Sequence, residues 1–130
     1  MKSNTLVERY SDKKHFYMLT RWLKARGVPE QDRHLFSDYG LCVDGIAIGF
    51  LFKTNSAYAY IDNAAADPEV SKETRDIAVR KLFLLLEAEA VKCGYKILFV
   101  LANLVTMEKR LRDIGYYEMG EYSYYAKRIQ

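Results

Sequence analysis

The sequence predicts an α/β (α+β) fold: a mixed, mostly antiparallel sheet flanked by helices. Three observations predict it. A turn at Asp44-Gly45 separates two apolar runs, which signals an antiparallel hairpin. A long helical segment, Lys72 to Cys93, stands between two strand-like runs, Ala57–Ile61 and Tyr95–Leu101, the order that a parallel crossover needs. Half of the 130 residues are apolar and 28% are charged, the composition of a folded domain and not of a disordered chain. That length fits one domain, 1–130.

Thr5–Arg9 reads as a short strand. Ser11 offers an N-cap and Asp12 suits the first turn of a helix. His15, Met18, Leu19, Trp22 and Leu23 recur at helical spacing, and Gly27-Val28-Pro29 stops the helix. Pro29–Tyr39 is polar, a short helix or a loop. Leu41-Cys42-Val43 leads into the Asp44-Gly45 turn. Ile46–Phe52 is nearly uniformly apolar, so both faces of that strand are expected to be covered. After Thr54-Asn55-Ser56 comes a third strand, Ala57–Ile61. Ser71 caps the long helix, whose broad apolar set (Ile77, Ala78, Leu82, Phe83, Leu85, Leu86, Ala90) presses it into the domain. Gly94 closes it, and Tyr95–Leu101 is a continuous apolar strand. Leu104–Ile114 carries Met107, Leu111 and Ile114 on one stripe, and Gly115 ends that helix. Tyr116–Ile129 reads mostly as strand, with Gly120 at a bend.

Twenty Lys and Arg against seventeen Asp and Glu leave a net charge of +3, too small for a dedicated nucleic-acid binder. The longest uncharged stretch, Ile97–Met107, is too short to span a membrane, and Glu8 interrupts what would be the apolar part of a signal peptide. Cys42 and Cys93 have no neighbouring Cys or His at metal spacing. Both are expected as reduced core thiols of a cytoplasmic protein, with no metal. No nucleophile or metalloenzyme motif is present. Tyr116, Tyr117, Tyr122, Tyr124 and Tyr125 fit a half-buried strand; the other reading is an acceptor pocket or partner interface. An exposed Tyr-rich final strand would allow a homodimer through sheet edges.

The start of the long helix is the one chemically suggestive place. Its first turns carry Lys72, Arg75, Arg80 and Lys81, which oppose the helix dipole at about 0.3–1 kcal/mol each. That makes sense where an anion with several oxygens binds, although Glu73 and Asp76 also fit a merely solvated face.

Residues 40–117 resemble the GNAT superfamily of acyl-coenzyme A-dependent N-acetyltransferases. The pieces are Val43-Asp44-Gly45-Ile46-Ala47-Ile48-Gly49-Phe50, similar to the family's hairpin before a central strand; Arg75-Asp76-Ile77-Ala78-Val79-Arg80, where the family carries its phosphate loop; Ala90–Ile97, similar to its helix end, Gly and strand; and Asn103 with Arg110–Tyr116, similar to its Asn and Gly-aromatic helix stop. Small acetyltransferase-like proteins of tailed phages are the nearest in flavour. The resemblance implies acetyl-CoA as co-substrate and a primary amine of a small molecule or protein as acceptor. It implies that Lys72, Arg75 and the amides at Ile77, Ala78, Val79 and Arg80 hold the pyrophosphate, and that Asn103 fixes the strand–helix corner near the thioester. Pantetheine would lie where the strands at 57–61 and 95–101 splay apart. Ala78 and Arg80 stand where the family has small residues, and Leu111 stands where it has a thiolate-protonating Tyr. Those departures fit the alternative of a catalytically inactive GNAT-fold protein acting through protein contacts. Asp62 is the candidate general base; as an isolated carboxylate it also reads as a turn cap. His15 shares its face with Met18, Leu19 and Trp22, which fits a satisfied core histidine.

Overall fold

The computed structural model describes residues 5–28, 32–101, 105–120 and 125–129. In chain order they form β1 (Val7–Arg9), α1 (Asp12–Ala25), a 3-10 turn (Arg33–Leu35), β2 (Gly40–Val43), β3 (Ala47–Lys53), β4 (Tyr58–Ala66), α2 (Lys72–Lys92), β5 (Ile97–Val100) and α3 (Val105–Asp113). One sheet runs β1-β2-β3-β4-β5. Its first four strands are antiparallel and β4–β5 is parallel, as the element order predicts. At the hairpin Asp44 and Gly45 both take positive φ, 56° and 65°, and the Ile46 N–H closes the turn on Val43 C=O at 2.9 Å.

The sheet has a helix on each face. Ile48 and Phe50 of β3 pack with Leu19, Trp22 and Leu23 of α1, while Ala47 and Leu51 pack with Val79, Leu82 and Leu86 of α2. The central strand is therefore covered on both sides, which is why it reads as an unbroken apolar run. Leu82 and Trp22, each buried to 1% or less, anchor the two sides.

Beside β3, strand β4 carries one extra residue. Ile48 pairs with Ala65 and Phe50 with Asp62, so Gly49 alone faces both Asn63 and Ala64. Asn63 takes φ 57°, and its N–H donates to its neighbour's Asp62 Oδ1 at 2.8 Å. The extra residue switches the strand's faces. Ala59 and Ile61 belong to the α2 side, whereas Ala65 belongs to the α1 side. Gly49 is required here: a Cβ would stand 2.9 Å from Leu82 Cδ2 and 3.5 Å from Ala64 Cβ.

All three helices stop as their glycines predict. At α1 the Val28 N–H reaches Leu23 C=O at 3.0 Å around Gly27, and the same arrangement recurs at Gly94 and Gly115. Two expectations fail. Cys93 is exposed at the C-cap of α2 and is no core thiol, whereas Cys42 is buried. The described residues of the tail, 116–120 and 125–129, form no strand, and Tyr117 and Tyr125 are exposed; Tyr122 and Tyr124 lie outside the described residues. Tyr116 alone is half-buried, its hydroxyl donating to Glu87 Oε1 at 3.3 Å. Among the described residues no helix is long and apolar enough to cross a membrane.

Candidate functional site

The β4–β5 ladder pairs Tyr58 with Ile97, Ala59 with Leu98, Tyr60 with Phe99 and Ile61 with Val100. There β5 ends, while β4 runs on from Asp62 to Ala66 with β3 as its only strand partner among the described residues. The pair of strands is therefore a fork, zipped for four residues and open beyond. In the open part lies the bulge of β4, where the Ala64 carbonyl accepts from a side chain, that of Arg26.

A cleft of about 420 Å³ lies at the open end. Ala65 and Ala66 of β4, Pro68, and Lys72, Arg75 and Val79 of α2 form one part of its wall; Met107 and Arg110 of α3 and Arg26 from the end of α1 form the rest. Among the described residues no carboxylate lines it. Of its four cations only Arg110 has a carboxylate partner among the described residues, Asp76 at 2.8 Å. Arg75 Nη1 instead donates to the Val70 and Pro68 carbonyls at 2.7 and 3.3 Å, holding the connection before the helix. Lys72 has no hydrogen-bond or ion-pair partner among the described residues. The guanidinium of Arg26 donates to Ala64 C=O at 2.6 Å. Burial of that end, and then the charge of Arg110, push its pKa below the ordinary value.

Ser71 caps α2 as expected, its Oγ accepting from the Thr74 N–H at 3.1 Å, and the Arg75 N–H bonds Ser71 C=O at 2.9 Å. The amides left free in the first turn are therefore those of Lys72 and Glu73. The amides of residues 77–80 lie inside α2 and are spent on intrahelical bonds. Ala78 and Val79 are buried in the core and Ile77 is exposed. Arg80 is also committed elsewhere: its Nε meets Asp76 Oδ2 and its Nη2 meets Asp113 Oδ2, both at 2.8 Å. It ties α3 to α2 and does not line the cleft. Asn103 lies outside the described residues. Of the expected cofactor residues, Lys72 and Arg75 converge on the cleft, with Val79 as an apolar wall.

Arg26, Met107 and Arg110 belong to the cleft without having been singled out for it. In the linear sequence Arg26 is a cation in the last turn of a helix, an ordinary partner for the dipole. Only the packing of α1 over β4 shows where its guanidinium goes.

The candidate base Asp62 sits at the bulge, partly buried, with Oδ1 held by the Asn63 N–H. Leu111 is buried at 7% exposure in the core and cannot donate a proton. His15 is buried at the start of α1, its Nδ1 accepting from the Ser11 N–H at 3.0 Å, and does not line the cleft.

No protein-family model matches the sequence, and no curated protein matches it. Solved structures do match, over nearly the full length. An aminoglycoside acetyltransferase from an uncultured soil metagenomic sample, solved with sisomicin, superposes with a TM-score of 0.65 at 16% identity, covering 95% of this chain and 97% of that one. A predicted acetyltransferase from Clostridium acetobutylicum, solved with acetyl-CoA, gives 0.67 at 12% identity, covering 95% and 96%. Aminoglycoside 6'-N-acetyltransferase AAC(6')-Ih from Acinetobacter baumannii gives 0.60 at 15% identity, covering 98% and 100%.

Proposed function

Because the chain has the GNAT acetyltransferase fold, we propose that it is an N-acetyltransferase that moves an acetyl group from acetyl-CoA to a primary amine of a small molecule or protein. The observation that carries this reading is the cationic cleft at the open end of the β4–β5 fork, lined by Lys72 and Arg75 at the start of α2. The residues present fit the cofactor. The pyrophosphate would meet Lys72, Arg75 and the free amides of Lys72 and Glu73, where a helix start and unpaired cations both favour negative charge. Pantetheine would run along the open edge of β4 over Val79 and Met107 toward the fork.

In the reaction the neutral amine attacks the thioester carbonyl. A C–N bond forms, the C–S bond breaks, and the products are an N-acetyl amide and CoA. One amine proton must leave and the thiolate must gain one. Asp62 is the carboxylate nearest the fork in sequence and would accept the amine proton through water, while Leu111 leaves protonation of the thiolate to solvent.

The buried Leu111, and Asp62 acting as a cap on the Asn63 N–H, favour a second reading. In that reading the fold binds without catalysing and acts through protein contacts. An assay for free thiol separates the two, run with acetyl-CoA and a panel of primary amines. Amine-dependent thiol release supports the transferase. Thermal stabilisation by acetyl-CoA without release supports the binding protein. Neither effect at millimolar acetyl-CoA contradicts the cleft assignment itself.

A further inference from the structure

The cations of the cleft are not all at the helix start. Arg26 arrives from α1, on the opposite face of the sheet, and its backbone is fixed as the C-cap by the Gly27 turn. Its Nη1 is anchored on Ala64 C=O at 2.6 Å. Ala64 lies three residues past the last β4–β5 pair, roughly 10 Å along the strand, and well before Lys72. Arg26 thus stands toward the crotch of the fork, where the thioester would react, whereas Lys72 and Arg75 stand at the phosphate end.

Arg110 lines the same cleft from α3. Its charge is balanced by Asp76, but Arg26 has no carboxylate partner among the described residues, only a neutral carbonyl. Arg26 is exposed as a residue, but it lines the cleft together with Arg110; desolvation there, and then the charge of Arg110, disfavour its charge. Such an arrangement is relieved by an anion. The planar fork of a guanidinium matches a carboxylate in particular.

We propose that the fork end of the cleft binds a carboxylate carried by one of the two reacting substrates, held by Arg26 with Arg110 beside it. The proposal rests on the transferase reading above and adds a substrate class to it. The carboxylate comes either from the acyl chain of the thioester or from the amine acceptor, as in a free amino acid. The cofactor's phosphates are not its source, because they occupy the Lys72 end.

Calorimetry on the wild-type protein, Arg26→Gln and Arg26→Lys separates these cases. Gln keeps a donor for Ala64 C=O without the charge, and melting temperatures show that the variants fold. The acyl arm compares CoA, acetyl-CoA and succinyl-CoA. The acceptor arm titrates CoA-saturated protein with free amino acids and with their amides. The expected result is a preference of about tenfold or more for the carboxylate-bearing member in one arm. Arg26→Gln abolishes that preference and Arg26→Lys restores part of it, while affinity for CoA itself stays within about twofold. Preference in the first arm assigns the carboxylate to the acyl chain, and in the second to the acceptor. Three results overturn the proposal: no preference in either arm, a preference that survives Arg26→Gln, or weakening of CoA itself by Arg26→Gln, which would make Arg26 a phosphate ligand. All three leave the transferase reading standing. Failure of the wild-type protein to bind CoA overturns both.

Discussion

Helices α1 and α2 begin on the same residue type, Ser11 and Ser71, and pack on opposite faces of one sheet. Their starts differ in what stands in front of them. At α1 the first turn is open to bulk solvent: Ser11, Asp12, Lys13 and Lys14 are all exposed, Asp12 answers the dipole, and the Ser11 N–H is taken by His15 Nδ1. At α2 only the Ser71 hydroxyl caps the helix. Lys72 and Arg75 of its first turn line a cleft in which no carboxylate stands among the described residues, and a fork between strands opens beside it. Local capping rules therefore make a helix start and do not make a site. What folds in front of the first amides decides whether they face bulk water or a walled cleft.

The two sides can be compared first through their anchors. Trp22→Ala on the α1 side and Leu82→Ala on the α2 side should be the most damaging changes, costing about 3–5 and about 2–5 kcal/mol respectively in denaturant unfolding. Equal tolerance of either substitution would mean that the face in question is not closely packed.

The clamp between α2 and α3 comes next. Asp76 accepts from Arg80 and Arg110, so Asp76→Asn should cost about 1 kcal/mol in the same assay. Its pH signature has a definite sign. Burial pushes the Asp76 carboxyl up, but bonds to Arg110 and Arg80 outweigh that, leaving it below its ordinary 3.8. The unfolded chain then holds that proton more tightly, so the clamp's contribution is present above pH 3.8 and is lost as pH falls below it. Asp76→Asn should remove that portion of the acid sensitivity, measured as the difference between the two stability–pH curves.

The smallest effects test the comparison most closely. Ser71→Ala should cost about 1 kcal/mol because its hydroxyl caps Thr74, whereas Ser11→Ala should cost only a few tenths, since the Ser11 side chain makes no capping bond. Equal costs would show that the Ser71 hydroxyl does not cap α2.

Much of the fold is legible in the residues themselves. The Asp44-Gly45 turn, the Ser71 cap, the glycine stops and the parallel return after α2 are each set by local chemistry. The tail misleads because tyrosine favours strands only where a half-buried pleated surface exists, and Tyr117 and Tyr125 have none. Cys93 misleads because it ends α2 on the solvent side. In the cleft, Lys72 and Arg75 are legible as cations working against a dipole. Arg80 looks the same in sequence and is instead neutralised by Asp76 and by Asp113, 33 positions away. Arg26 was hidden for the converse reason, since its partner is a backbone carbonyl across the sheet. The resemblance implies phosphate-binding amides at 77–80, but those lie inside α2, and the free N–H groups of its first turn are at 72–73.

The central claim is that the α2 start is the phosphate end of a coenzyme cleft. It is tested most directly by calorimetric titration of acetyl-CoA into the wild-type protein, Arg75→Glu and Arg80→Gln. The account predicts binding to the wild-type protein, weakening by about tenfold or more in Arg75→Glu, and little change in Arg80→Gln beyond its lower melting temperature. Unaltered affinity in Arg75→Glu, or a greater loss in Arg80→Gln, would contradict it.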